Sequence, residues 1–202
     1  MRDGKRQEIL QAAIKLFAGK GFNGTTTRDL AAEAKVNEAI IFRHFKTKQD
    51  LYRAILEDRL SRSQDFPCTE MEAHEAGDEK AFLELIAQRF LEKHERDTTF
   101  MRLMLFSALE GHELSDMFLA EMASRAPLAK YLKRRMGQRS IRKMDPHLAA
   151  RAFFGMFVSF VQWQEIFGMK KTQQFAGRDV VRTFVSIFLS GIKTSSKTGV
   201  KK

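Results

Sequence analysis

Three features of the sequence predict an all-α protein. Beyond Asp78 every segment repeats its apolar residues at helical spacing, and none alternates as a strand would. The 202 residues include only three prolines, so few positions forbid a helix interior. The stretch from Thr25 to Lys48, TTTRDLAAEAKVNEAIIFRHFKTK, reads as two short helices joined by a tight turn and followed by basic residues.

In chain order, a first helix over about 6–19 carries Ile9, Leu10, Ala13, Ile14 and Phe17 as one apolar stripe, and Gly21 ends it. Thr26 is placed to cap the next helix, with Asp29 three residues on as a shortened capping box. Leu30, Ala31 and Ala34 share one face of that helix. Asn37 caps the following one, along which Val36, Ile41 and Phe45 continue the apolar set. Ala31 is small enough for two helices to cross at roughly 90–120°, the arrangement of a helix-turn-helix. A fourth helix over about 48–62 turns Leu51, Tyr52, Ile55, Leu56 and Leu60 inward. Residues 63–77, with Pro67 and several acids, read as a loop. Further helices are predicted near 78–95, 98–109, 114–137, 146–167 and 173–193. Pro127 should break the third of these near Ala126, and Pro146 suits a first turn capped by Asp145.

With the apolar set inside, Arg28, Glu38, Ala39, Ile40, Phe42, Arg43 and His44 are left on the outer face of the helix pair. Arg28 and Arg43 suit guanine edges in a major groove, and Ala39 and Ile40 suit a thymine methyl. Thr26, His44, Lys46 and Lys48 suit phosphate oxygens, which set register without reading sequence. Lys48 also opens the fourth helix, where the helix dipole adds to anion attraction. Thr27 and Asn37, at the two helix starts, complete the candidate DNA-binding set. The plainer alternative is that two short amphipathic helices are packing units of an all-α protein.

The runs AAIKLF, GFNGTTTRDLAAEA and FRHFKTKQDL, in that order between Ile9 and Leu51, resemble the N-terminal domain of tetracycline-repressor-like (TetR family) transcription regulators. The resemblance implies a DNA-binding domain over 1–47, and a ligand-binding and dimerisation domain over 48–202 in which 48–62 is the connecting helix. Two positions depart from the family pattern. Phe42 stands where a tyrosine is usual, which removes a hydroxyl that would reach a phosphate. Lys35 stands where glycine is common in the turn, and a positive φ there would cost about 1–2 kcal/mol.

Charge is distributed unevenly. Residues 1–62 hold 13 Lys and Arg against 8 acids, residues 63–122 hold 5 against 14, and residues 123–202 hold 17 against 3, within a net charge of +10. The first block fits a polyanionic partner, and the acidic middle argues against nucleic acid wrapping the whole chain. In the third block Lys130, Lys133, Arg134, Arg135, Arg139, Arg142 and Lys143, with Lys197, Lys201 and Lys202 of the tail, read first as a solvated helix end. A site for acidic ligands or a second DNA contact is the alternative. The lone Cys68 excludes an internal disulfide and a cysteine zinc site, as in a reducing cytoplasm. Neither a leader nor an apolar run of about 18 residues is present, so no membrane span is expected.

The helices from Pro146 and Gln173 are apolar almost all the way round, through residues such as Phe153, Phe157, Val161, Val181, Val185 and Phe188. Such helices must be buried on every side. A homodimer with a four-helix interface is therefore expected, as the resemblance also implies, and with it a palindromic operator on double-stranded DNA. The middle of the chain is rich in Phe and Met, which suits either plain core or a cavity for a small, largely apolar ligand. With the resemblance, the candidate lining is Met104, Ser107, Phe118, Met122, Phe153, Phe157 and Phe160. Glu110, His112, Ser159, Gln162 and Gln164 are further polar fixtures. Repression relieved by that ligand is what the resemblance implies. No cofactor, metal site or catalytic residue is expected, since no HExxH, Gly-rich phosphate loop or inward Glu-x-x-His pair occurs. The alternative function is an all-α dimeric small-molecule-binding protein or enzyme that does not bind DNA.

Overall fold

The computed structural model describes residues 2–62, 78–111 and 113–193. The expected loop over 63–77 with Pro67 and Cys68, His112, and the tail lysines Lys197, Lys201 and Lys202 lie outside the described residues, as do the side chains of Leu56, Leu60 and Met122. The helices are α1 (Arg2–Lys20), α2 (Thr27–Glu33), α3 (Glu38–His44), α4 (Lys48–Arg62), α5 (Glu79–Arg96), α6 (Thr99–Leu109), α7 (Glu113–Arg125), α8 (Pro127–Gly137), α9 (Pro146–Val161) and α10 (Gly177–Ile192). Among the described residues no strand forms, and no helix is long and apolar enough to cross a membrane. Two compact units result, one from α1–α4 with α6 and α7, the other from α5 with α8–α10.

In the first unit α1 lies against α2, α4 and α6. Its stripe, Ile9, Leu10, Ala13 and Phe17, joins Leu30 and Ala31 of α2, Ile41 of α3, Leu51, Tyr52 and Ile55 of α4, and Leu103 of α6 in one buried cluster. The rings of Phe17 and Tyr52 meet edge-on at 4.9 Å, and Phe22 lies 5.1 Å from Tyr52. Each fully buried Leu, Ile or Phe contributes about 1.5–3 kcal/mol of apolar burial. The sequence predicts that the fourth helix turns Leu51, Tyr52 and Ile55 inward, and here they meet the three-helix head. The structure adds α6, whose Arg102 donates from Nε to the carbonyl of Ala18 at 3.1 Å near the end of α1.

The second unit is held chiefly by rings and branched side chains. α5 buries Phe82, Leu83, Ile86, Ala87 and Leu91, and α9 packs against α5, α8 and α10. Phe153 is fully buried among Phe154, Phe157 and Phe188, with ring centroids 5.1–5.5 Å away. One polar tie joins α8 to α5, where Arg135 Nε donates to Glu79 at 3.0 Å and Nη1 to Gln138 at 2.7 Å. Arg135 therefore leaves the solvated basic set that the sequence suggests.

The break expected before Pro127 is present, and two other boundaries differ from the periodicity. The segment 114–137 is two helices, parted at Ala126, whose φ of 26° is outside any helix. α9 stops at Val161 and widens into a π-turn over Gln162–Ile166, where Phe167 N reaches Gln162 O at 2.9 Å, and Gly168 at φ 79° ends it. α10 begins at Gly177, because Met169–Lys171 first form a short 3-10 turn. α10 is also not apolar on every side, since Thr183, Ser186, Ser190 and Gly191 are exposed with Ile187 on its outer face. On α9 the outward stripe is Leu148, Ala152, Gly155 and Ser159.

Candidate nucleic-acid interface

The helix-turn-helix is fixed by side chains at each helix start. Thr26 Oγ1 accepts from Asp29 N at 3.1 Å, while Asp29 Oδ2 accepts from Thr26 N at 2.9 Å, a reciprocal box that satisfies two amides the helix cannot. The Thr26 amide and then the Lys20 ammonium, 3.0 Å away, hold the Asp29 carboxyl down to about 2. Asn37 Oδ1 accepts from Ile40 N at 2.9 Å and starts α3. At α4 Thr47 and Asp50 form a second reciprocal box, with hydrogen bonds of 3.0 and 3.1 Å. That second box repeats the Thr-x-x-Asp spacing of the first, so the spacing itself marks the start of α4 in the sequence. Thr27 Oγ1 donates to Glu38 Oε2 at 2.7 Å and so ties the start of α2 to the start of α3. The turn between them passes through Lys35 at φ 53°, the left-handed conformation whose strain the sequence anticipates.

Arg28, Ala39, Phe42, Arg43 and Lys46 are exposed, Phe42 to 47%, and among the described residues neither arginine forms an ion pair. Thr26, Asn37 and Glu38 are exposed too, but engaged in the contacts above, and Thr27 and His44 are half-buried. Ile40 differs from its expected place: it is half-buried against the core of this unit, because one turn past the cap it shares the inner face with Val36. Arg6, outside the set expected from the sequence, lies over the Phe45 ring at 5.3 Å, at the C-terminal end of α3.

Lys48 is not a simple solvent-facing cation. Its ammonium donates to the carbonyls of Phe22 at 2.8 Å and Thr25 at 2.9 Å and lies 4.1 Å above the Phe22 ring. Partial burial pulls its pKa below the ordinary lysine range, and the Glu110 charge opposes that shift. Glu110, expected among the polar fixtures of a ligand cavity, turns instead toward the head. Its Oε2 accepts from Phe22 N at 2.9 Å and its Oε1 from Asn23 N at 3.2 Å. Gly21 makes room for this: its φ is 73°, and a Cβ there would lie 2.3 Å from Glu110 Oε1. Tyr52, beneath the same turn, is pushed up to about 12 by burial, an effect that the Ser107 hydroxyl opposes and the Glu110 charge reinforces.

The candidate ligand-lining residues divide between the units. In the first, Met104 and Phe118 are half-buried against the head's core, and Ser107 is buried with its Oγ accepting from Ser115 N at 2.9 Å. In the second, Phe153 and Phe157 are fully buried and Phe160 half-buried, 6.0 Å from the ring of Phe184. Gln164 is buried and Gln162 half-buried in the π-turn, while Ser159 faces outward.

A capped helix pair that presents arginines on its open face, in a chain with no strand among the described residues, has the arrangement of a helix-turn-helix. The chain belongs to the TetR family: the family described as bacterial regulatory proteins, tetR family, matches residues 9–55, and the AefR-like transcriptional repressor C-terminal domain matches residues 81–191. The HTH-type transcriptional repressor Rv3405c of Mycobacterium tuberculosis is 53% identical over 49 residues, 24% of this chain and 26% of that protein. The chain thus matches only about a quarter of that curated relative. Solved structures share the fold along nearly the whole chain. A TetR-family regulator from Mesorhizobium loti superposes with a TM-score of 0.73 at 22% identity, covering 96% of this chain and 99% of that one. FadR of Bacillus subtilis, solved in complex with stearoyl-CoA, does so with a TM-score of 0.72 at 19% identity, covering 92% and 98%.

Proposed function

We propose that this protein is a repressor that binds a palindromic operator as a homodimer and is released from it by a small, largely apolar ligand. The observation that carries the reading is the open face of the helix pair. Arg28, Ala39, Phe42, Arg43 and Lys46 face solvent, while every helix start beneath them is held by side-chain hydrogen bonds. In this reading residues 1–47 read the duplex and residues 48–202 bind ligand and dimerise. Arg28 and Arg43 take base edges, Ala39 a thymine methyl, and Thr26, Thr27, Asn37, Glu38, Phe42, His44 and Lys46 line the duplex or its phosphates.

Dimerisation is supported by what a single chain leaves uncovered. Leu148, Trp163, Phe167 and Ile187 are exposed to 53–66%, and the small residues Ala152 and Gly155 on α9, with Gly191 on α10, permit close helix approach. Two-fold symmetry would set two reading helices about 34–36 Å apart and so favour a palindrome. Phe153, Phe157 and Phe160, which lie together in the second unit, remain the proposed ligand-lining set. Stearoyl-CoA in the similarly folded FadR supports a ligand with an apolar part. A ligand that prefers one spacing of the heads by about 1–3 kcal/mol would weaken operator binding roughly 5- to 150-fold.

Selection of bound duplexes from a random pool tests the reading directly. A palindromic winner is expected, and Arg43→Ala should lose about 1–3 kcal/mol of binding to it. A pool with no winner, or an Arg43→Ala protein that binds as before, would sink the reading. Sedimentation at micromolar concentration checks the assembly, and a monomer there would refute the dimer.

A further inference from the structure

The backbone between α1 and α2 is gripped from both sides by opposite charges. Glu110, just past α6, accepts the amides of Phe22 and Asn23, and Lys48, the first residue of α4, donates to the carbonyls of Phe22 and Thr25. Thr25 is itself fully buried, with its hydroxyl donating to Gly21 O at 2.7 Å. The gripped turn leads straight into Thr26, the cap of α2, and α2 is tied to α3 through Thr27 and Glu38. Glu110 and Lys48 thus sit on the two helices that lead away from the head, and their shared turn governs how α2 and α3 are presented.

We infer that Glu110 is a positioning residue for DNA reading: with Lys48 it clamps the turn over 21–25, so that the orientation of the helix-turn-helix follows α6 and α4. The inference rests on the DNA-binding reading above. It assigns to Lys48 a role on the protein's own backbone in place of a phosphate contact. Charge-assisted hydrogen bonds suit such a clamp, because they are directional and stronger than neutral ones. Any change that shifts the end of α6 relative to the start of α4 must pull on this turn, which gives ligand binding a route to the reading face.

Glu110→Gln tests the clamp with little change of shape. The amide can accept one of the two N–H groups but turns its NH₂ toward the other, and it no longer balances Lys48. Simple electrostatics predicts that removing a carboxylate from a DNA-binding protein leaves affinity unchanged or raises it. The clamp predicts the opposite sign. Against the duplex won in the selection, full-length Glu110→Gln should bind about tenfold more weakly, the scale of one hydrogen bond to a charged group. Its salt dependence should be unchanged, because no phosphate contact is lost. Hydrogen exchange should quicken at the Phe22 and Asn23 amides. Lys48→Met should likewise weaken binding without lowering the salt slope, and the double variant should be no worse than the poorer single one.

Tighter or unaltered binding by Glu110→Gln, a salt slope lowered by about one in Lys48→Met, or additive losses would each overturn the clamp. Should Glu110→Gln melt below the assay temperature, Glu110→Asp, which keeps the charge but is one methylene short, should show an intermediate loss with the same unchanged slope. Arg43→Ala separates failure of the clamp from failure of the DNA-binding reading. If it lowers affinity while Glu110→Gln does not, the clamp alone fails, and if it too is without effect, the DNA-binding reading fails.

Discussion

The two units of this chain are held together by different kinds of force. In the first, α2, α3 and α4 each begin on a side-chain cap, and the turn before α2 is gripped by Glu110 and Lys48. In the second, Asp78 and Asp145 cap α5 and α9, but the N-cap positions of α8 and α10 are Ala126 and Ala176, without side-chain hydrogen bonds, and much of the order comes from rings meeting rings around Phe153 and Phe184. Hydrogen bonds are directional and fix orientation, whereas apolar packing fixes volume and tolerates rearrangement of similar size. A reading head needs the first property. A unit proposed to accept a ligand or a partner would be better served by the second.

The largest expected effect tests the packing side of that contrast. Phe153→Ala removes a fully buried ring that touches three others and should cost about 3–5 kcal/mol in urea unfolding. Phe153→Leu should cost less than about 1.5 kcal/mol, because half-buried Phe154 can shift into the space left. If the two substitutions cost the same, the second unit is as rigidly specified as the first and the contrast is broken.

The capping side should respond on a smaller scale. Asn37→Ala leaves the Ile40 amide without its acceptor and should lower stability by about 1 kcal/mol. Asn37→Asp should retain most of that stability, since a carboxylate caps as well. Smaller again are the effects expected at two of the residues with positive φ, one taken from each unit: Lys35 at φ 53° and Arg139 at φ 61°. Glycine at either relieves about 1–2 kcal/mol of backbone strain and gives back about 0.5–1 in chain entropy. Each variant should therefore melt slightly higher than the parent, and a lower melting temperature for Lys35→Gly would mean that its side chain matters to the turn.

How much of this was legible in the sequence depends on how local each signal is. Thr26 with Asp29, Asn37 before α3, Asp145 before Pro146 and the break before Pro127 all act within a few residues, and each lies where the sequence places it. The apolar stripe of α6 was equally visible as a helix, but periodicity does not say which helix it will meet. Leu103 entered the head's core across some 80 residues of chain, and Glu110 followed it. Lys48 was recognised as a cation near the DNA face; its two carbonyl acceptors belong to a turn more than 20 residues earlier. The π-turn after α9 was hidden because an extra residue in a helix changes hydrogen-bond register without changing composition. For the candidate site the caps and most of the exposed side chains are thus legible in the sequence, and the contacts of Glu110 and Lys48 beneath them are not.

Acid provides the finest comparison between the units, because a capping aspartate serves each. Asp29 and Asp145 both have pKa values below the ordinary carboxylate range. For Asp29 the cause is first the Thr26 amide and then Lys20, whereas for Asp145 it is first the Leu148 amide and then that of His147. A carboxylate with a lowered folded pKa contributes stability that is complete above its unfolded value and is lost as pH falls through the folded one. For Asp29 that window runs from the ordinary 3.8 down to about 2. Part of its shift comes from an exposed ammonium, which salt screens, while amide hydrogen bonds at contact distance are screened far less. Carboxyl NMR titration should therefore show Asp29 rising toward its ordinary value in 1 M salt or in Lys20→Met, and Asp145 moving little under either. Equal movement of the two would mean that long-range charge, rather than the local caps, sets both, and the first unit would lose its claim to be held by directed bonds.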